Sequence, residues 1–172
     1  MLPELVAENP AAAAVEQQFP SAILEAKSAL GEVTLVIDPA SIVAVCSHLK
    51  TERRFDRISS VTCVDWWPQD PRFEVVYHLH QTLNPTLGTD GPVVGDGRLR
   101  LKVRLEEGVE VDSVTGVWSG ANWYEREVFD LYGIKFRNHP NLERILMPAD
   151  WEGHPMRRDY PIHGYRYSYR DE

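Results

Sequence analysis

Between Arg98 and Leu105 the chain reads Arg-Leu-Arg-Leu-Lys-Val-Arg-Leu, so that Arg98, Arg100, Lys102 and Arg104 alternate with Leu99, Leu101, Val103 and Leu105. A period of two sends successive side chains to opposite faces of a strand. Every charge here falls on one face and every aliphatic on the other, which predicts a sheet with one core face and one wet face.

The rest of the first part fits around such a sheet. Arg57 to Val64 and Phe73 to Leu83 read as further strands. Ala22 to Ala29 and Val33 to Ile37 flank Gly31 and read as a hairpin, although the first segment is equally consistent with a helix. Pro10 to Phe19 is alanine-rich with Val15 and Phe19 four apart, which predicts a short amphipathic helix ending before Pro20. Asp38-Pro39 supplies an N-cap and a proline at the first helical position, predicting a helix from Pro39 to about Lys50 with Ile42, Val43, Val45 and Leu49 as its apolar face. The turn-rich stretch from Gly88 to Gly97 predicts a long hairpin loop. It lacks the Gly-Lys-Ser/Thr ending of a phosphate cradle and precedes a strand, not a helix.

A further helix of about three turns is expected from Asn122, whose Asn-x-x-Glu spacing with Glu125 is a capping-box variant, to Leu131-Tyr132, with Gly133 at the C′ position. Tyr124, Val128, Leu131 and Tyr132 follow helical spacing, and Arg126 and Asp130 stand four apart as a candidate ion pair. Glu125, Glu127 and Asp130 invite a reading as acid–base carboxylates, but the first two sit in the opening turns, where negative charge complements the helix dipole.

Beyond Lys135 the pattern changes, because Pro140, Pro148, Pro155 and Pro161 recur too often for a long helix and no alternation replaces it. A solvated tail is poor in large apolar groups. This one holds Phe136, Leu142, Ile145, Leu146, Met147, Trp151, Met156, Tyr160 and Ile162, with three tyrosines after them. Such a composition suits an interface, and prolines limit the entropy lost on docking. Composition leaves two readings open: the tail wraps a partner, or it packs across its own domain.

Charge excludes other classes. The net charge of -8 disfavours a nucleic-acid binder, which needs a basic face for phosphate contacts. Lys135 to Glu172 carries seven Lys/Arg against six Asp/Glu, a net of +1, so the acid belongs to the preceding part. Cys46 and Cys63 form no C-x-x-C pair, which argues against a disulfide framework or a four-cysteine metal centre and fits a reducing cytosolic setting. No stretch approaches the ~18 consecutive apolar residues of a membrane span, and no basic region opens the chain as a signal peptide would, so membrane association is expected only through partners.

The run from Glu125 to Leu142, Glu-Arg-Glu-Val-Phe-Asp-Leu-Tyr-Gly-Ile-Lys-Phe-Arg-Asn-His-Pro-Asn-Leu, resembles the signature of the 30 kDa subunit family of respiratory complex I, the C subunit in bacteria. It continues through Arg144-Ile145-Leu146-Met147-Pro148, Asp150-Trp151, Gly153-His154-Pro155, Arg157 and Asp159-Tyr160-Pro161. The close match spans about Ala121 to Pro161, and a composite motif of that length is far more specific than a short pattern. The Gly88 to Gly97 loop looks longer than is usual in the family, and the large subunit, fused in some bacterial versions, is expected here to be a separate polypeptide.

The resemblance implies an α+β fold: a small mixed sheet with flanking helices over residues 1–134, then an extended irregular C-terminal segment over 135–172. It implies a scaffold subunit in the peripheral arm of a proton-translocating NADH:quinone oxidoreductase, itself carrying no cofactor, while FMN and iron–sulfur clusters reside in other subunits. The tail would lie on the large (49 kDa) quinone-site subunit and near the small iron–sulfur subunit, on the cytoplasmic side of the inner membrane. The partner-binding residues it suggests are Glu125, Arg126, Glu127, Asp130, His139, Arg144, Asp150, Trp151, His154, Arg157, Asp159 and Tyr160. Related modules occur in membrane-bound hydrogenases and in dehydrogenases using a deazaflavin.

Two metal readings compete with the scaffold. His78-x-His80 places two imidazoles on one strand face, half of a metal site with no third ligand in sequence. His139, His154 and His163, with Asp150 and Asp159, could form a hydrolytic zinc centre or a proton relay. Against this, their spacing is irregular, and turn caps and arginine–carboxylate pairs involving Arg144, Arg157 and Arg158 explain the same residues.

Overall fold

The alternating segment is β5 (Arg98–Leu105), the central strand of a five-stranded sheet. The computed structural model describes residues 2–82 and 97–165. Leu83, the expected hairpin loop up to residue 96, and everything past Tyr165 lie outside the described residues.

Two short helices, α1 (Glu4–Ala7) and α2 (Pro10–Gln18), precede β1 (Ile23–Ala29) and β2 (Glu32–Ile37). The side chain of Asn9 caps α2 by accepting from the Ala11 and Ala12 amides. Leu30 and Gly31 both have positive φ, the two-residue turn that matches strand twist, so the segment left open between helix and strand is a strand. Asp38 caps a 3-10 turn (Pro39–Ser41), which leads into α3 (Ile42–Arg53). Then come β3 (Arg57–Asp65), β4 (Phe73–His80) and β5. The sheet order is β1-β2-β5-β4-β3, with β2 parallel to β5 and the other neighbours antiparallel. This is the expected α+β class with a mixed sheet.

One sheet face, which includes Leu35, Ile37, Val61, Val75, Tyr77, Leu79, Leu101 and Val103, joins the helices in a single apolar core. The other face carries the charges of β5, which pair across strands: Arg104 with Glu25, Lys102 with Glu74, and Arg100 with Glu32. Pairing on a half-exposed face contributes register more than stability.

After β5 the chain forms β6 (Val111–Asp112), α4 (Ala121–Tyr132) and β7 (Phe136–Arg137), which pairs parallel with β6. Phe136 belongs to the core. Gly133 ends α4 at φ +78 as expected of a C′ glycine. The helix start differs from expectation. Gly120 occupies the N-cap and has no side chain to cap with, and Glu125 points into the interior instead of back to Asn122. Burial penalises the charged form of this carboxyl, and the Ser113 and Val114 donors offset that penalty only in part.

Candidate functional site: a strapped C-terminal tail

The tail from about residue 138 to 165 has no regular structure, yet it is fastened to the domain, most densely around two buried side chains. The first is Asp130, in the last turn of α4 and fully buried. Its Oδ2 accepts from three successive amides, Ile145 (3.0 Å), Leu146 (2.7 Å) and Met147 (2.9 Å), while Oδ1 accepts from Arg144 Nη1 (2.6 Å). A run of amides aimed at one carboxylate is an anion nest. Burial alone would raise the Asp130 carboxyl, but the Met147 amide, the Arg144 guanidinium and the Leu146 and Ile145 amides outweigh it and hold it below its ordinary value.

Arg144 does more than neutralise Asp130. Its Nη2 donates to the Trp151 and Gly153 carbonyls at 3.2 and 3.0 Å, which pins the next turn of the tail. The carbonyl of Asp130 accepts from His154 Nδ1 at 2.9 Å. Burial keeps the His154 imidazole below its ordinary value, so it stays neutral. Gly133 is required here twice over. Its φ is positive, and a Cβ at that position would stand 2.5 Å from His154 Nε2 and 2.7 Å from Arg157 Nη2.

The second fastening centres on Arg72, which is 5% exposed. Its Nε and Nη2 grip Asp65 at 3.0 and 2.9 Å, its Nη1 and Nη2 reach Asp159 in the tail at 3.1 and 2.5 Å, and Nη1 also reaches Glu107 at 3.0 Å. A guanidinium shared between two carboxylates in bidentate fashion uses the planar fork that lysine lacks. Burial would raise the Asp65 carboxyl, but donation from Arg72, the Arg158 amide and the Trp67 amide brings it down to about 2. Arg157 completes the hub by donating to the Tyr132 carbonyl (2.7 Å) and Glu107 (2.9 Å), and both guanidiniums lie against the buried Phe73 ring.

The residues suggested by sequence therefore divide. Asp130, Arg144, His154, Arg157 and Asp159 are brought together in the strap, with Trp151 giving its carbonyl and Tyr160 donating to the Glu152 carbonyl at 3.3 Å. Arg126 does not pair with Asp130. It stacks on Trp123 and donates to the Glu143 carbonyl at 3.0 Å, holding the start of the tail. Glu127 and Asp150 are exposed.

Glu125 and His139 form a separate buried pair, 3.9 Å apart. The carboxylate accepts from Ser113 Oγ (2.6 Å) and the Val114 amide (2.8 Å), while burial pushes its pKa up to about 7. His139 Nδ1 accepts from the Asn141 amide, and burial lowers its pKa, so it offers no compensating charge. Among the described residues no three His, Cys, Asp or Glu side chains converge to hold a metal ion. Nor does any helix among them reach the length and apolarity needed to cross a membrane.

Sequence reasoning missed Asp65, Arg72, Glu107 and Ser113. One signal was available: Asp65 falls in phase with Val61 and Cys63 on the core side of β3, and an acid at a core position demands a buried partner.

Fold and strap together define a class, an α+β domain that carries an irregular extension pinned along its surface by buried carboxylates. The family described as respiratory-chain NADH dehydrogenase, 30 Kd subunit, matches residues 35–166. The C subunit of NADH-quinone oxidoreductase from Geotalea uraniireducens is 44% identical over 162 residues, covering 94% of this chain and 92% of that protein. A solved trypsin-resistant fragment (1-134) of Nqo5 superposes with a TM-score of 0.60 at 29% identity, covering 76% of this chain and 97% of the fragment. A chain of an archaeal membrane-bound sulfane sulfur reductase shares the fold, with a TM-score of 0.69 at 23% identity over 87% of this chain and 83% of that one. The chain belongs to the 30 kDa subunit family of respiratory-chain NADH dehydrogenase, and its similar bacterial relatives include C subunits of NADH-quinone oxidoreductase.

Proposed function

We propose that this chain is a scaffold subunit, without catalytic groups or cofactor of its own, in the peripheral arm of a proton-translocating NADH:quinone oxidoreductase. Its tail docks on the large quinone-site subunit and near the small iron–sulfur subunit, on the cytoplasmic side of the inner membrane. FMN and the clusters belong to other subunits of the assembly.

The observation that carries this reading is what the strap leaves outside. The intrachain bonds engage Arg144, His154, Arg157 and Asp159 of the tail, whereas Leu146, Met156, Ile162 and Tyr165 stay 55%, 54%, 96% and 58% exposed. Large apolar groups held out by a fixed backbone suit burial against another protein. Trp66, Trp67 and Trp123 add exposed aromatic surface of the kind that dominates interface energetics. The fold shared with a sulfane sulfur reductase chain favours a second reading, the equivalent subunit of a related membrane complex with another electron donor.

The test is to tag the chain in its native host, isolate it from membranes, identify the co-purifying subunits and assay the eluate for NADH:quinone activity. Recovery of the large and cluster-bearing subunits with that activity supports the first reading. Recovery of the same subunits with a different donor supports the second. A chain truncated after Gly133 should lose these partners, and an intact complex from that truncation would sink the proposal.

A further inference from the structure

Glu125 of α4 is 0% exposed, and two hydroxyls lead from it toward the surface. Ser113 Oγ stands 2.6 Å from Glu125 Oε2 and 2.7 Å from Thr115 Oγ1, and it also accepts from the Thr115 amide at 3.1 Å. Ser113 is buried, whereas Thr115 is half-buried. The row of oxygens therefore joins a sealed carboxyl to a residue that solvent touches.

The same heavy-atom positions serve both protonation states. With the carboxylate ionised, Ser113 donates to Oε2 and Thr115 donates to Ser113. With the carboxyl protonated, its O–H donates to Ser113 Oγ, Ser113 donates to Thr115 Oγ1, and the Val114 amide keeps its bond to Oε1 at 2.8 Å. A hydroxyl offers one proton and two lone pairs, so both arrangements satisfy the carboxyl and Ser113.

The groups packed around Glu125 leave it without a counter-charge. Burial pushes up the Cys46 thiol of α3, the Cys63 thiol of β3 and the Tyr77 phenol of β4, so all three stay neutral. The neighbouring charges are engaged elsewhere: Lys50 of α3 with the Val117 carbonyl, Asp65 of β3 with Arg72, Arg126 of α4 with the Glu143 carbonyl, and Asp112 of β6 with Arg137 of β7. Burial accordingly carries the Glu125 carboxyl up to about 7.

His139 is the one titratable side chain paired with it, and its tautomer is set by its neighbours. Nδ1 accepts from the Asn141 amide at 3.1 Å, which leaves the proton on Nε2, 3.3 Å from the Asn122 carbonyl and 3.9 Å from Glu125 Oε2. An ionised Glu125 draws that N–H toward itself, and a protonated one leaves it to Asn122. We propose that Glu125 is an internal proton-binding site, served by a relay through the Ser113 and Thr115 hydroxyls and sensed by His139 at the root of the tail. Release moves one proton and no electrons. The Glu125 O–H bond breaks as Ser113 Oγ takes the proton, Ser113 passes its own to Thr115 Oγ1, and Thr115 gives its own to water.

The test follows the Glu125 carboxyl carbon and the His139 ring nitrogens by NMR in the purified full-length chain, assigned with E125Q and H139Q. The carboxyl should titrate near neutral pH as one averaged resonance, and the His139 nitrogens should move with the same midpoint. Those nitrogens should lose that step in Glu125→Gln. Thr115→Val leaves both donors to the carboxyl in place but cuts the relay. Proton exchange at Glu125, read by relaxation dispersion, should then slow by about tenfold or more, because it must wait on local opening. Thr115→Ser should restore the wild-type rate.

Exchange in Thr115→Val as fast as in wild type overturns the relay, and with it the proposal. So does a carboxyl that titrates in the ordinary carboxylate range, or a His139 that stays fixed through the Glu125 step. Ser113→Ala, which also breaks the relay and should slow exchange likewise, decides the matter if Thr115→Val fails to fold.

Discussion

Asp130→Asn should release the first fastening of the tail while leaving the sheet intact. The carboxylate is fully buried and accepts from three amides and one guanidinium, at 2.6 to 3.0 Å. An asparagine offers one acceptor oxygen to those four donors and turns an NH2 group toward the rest. It also strips Arg144, only 16% exposed, of its counter-charge. Removing one partner of a buried pair costs about 3–5 kcal/mol. At about 1.4 kcal/mol per power of ten, opening of the strap should rise by roughly two to four powers of ten. Native-state hydrogen exchange reads this directly, since such locally held amides exchange by local opening while core strands exchange near the global limit. The amides of Ile145, Leu146 and Met147 should exchange faster in the variant, with those of Val75 and Leu101 unchanged. The Asp130 carboxyl lies below its ordinary value, so its contribution is present above the unfolded carboxyl value and is lost as pH falls through the folded one. Acidification of the wild type should therefore move the same three amides. Unchanged exchange at these positions in Asp130→Asn would refute the nest as the fastening.

Glu125→Gln should flatten the pH dependence of stability, because the carboxyl is raised from 4.5 to about 7 in the fold. Its stabilising contribution is fully present below the unfolded value and lost as pH rises through about 7, on the order of 3 kcal/mol in all. Urea unfolding of wild type and variant between those limits checks it, and parallel slopes would dispose of the assignment. Arg72→Met should lower stability by about 3–5 kcal/mol, chiefly through the stranded Asp65, because the more exposed Glu107 and Asp159 recover hydration. Thermal melting should show a fall of about 10 °C. Recovery of most of it in Asp65→Asn/Arg72→Met is the expected outcome, and a melting point that does not move in the single variant would count against the hub.

Local chemistry is legible in the sequence where neighbours along the chain decide the outcome. The alternation in β5, the Asp38-Pro39 cap and the Gly133 terminus are all settled within a few residues. Glu125 misleads for the opposite reason: its spacing from Asn122 fits a cap, but Ser113 and Val114 are brought beside it only by the return of the chain through β6. Arg72 and Asp159 stand 87 positions apart, and no periodicity reports such a pair. The tail shows the same limit. Its composition announces a need for burial, while the nest on Asp130 depends on where α4 ends relative to three amides that follow a turn.

Under the proposed docking, assembly would proceed as the joining of two finished surfaces, because the nest and the Arg72 hub already hold the tail in shape within this chain. Encounter then does not wait on folding of the segment, and association falls under the ordinary orientational limit of about 10⁵–10⁷ M⁻¹s⁻¹. A looser tail would spend part of its contact energy on ordering itself and would hold its partner for a shorter time. Under the proposed docking, residues buried within this chain, Asp130 and Arg72 foremost, would set how long the complex lasts once formed.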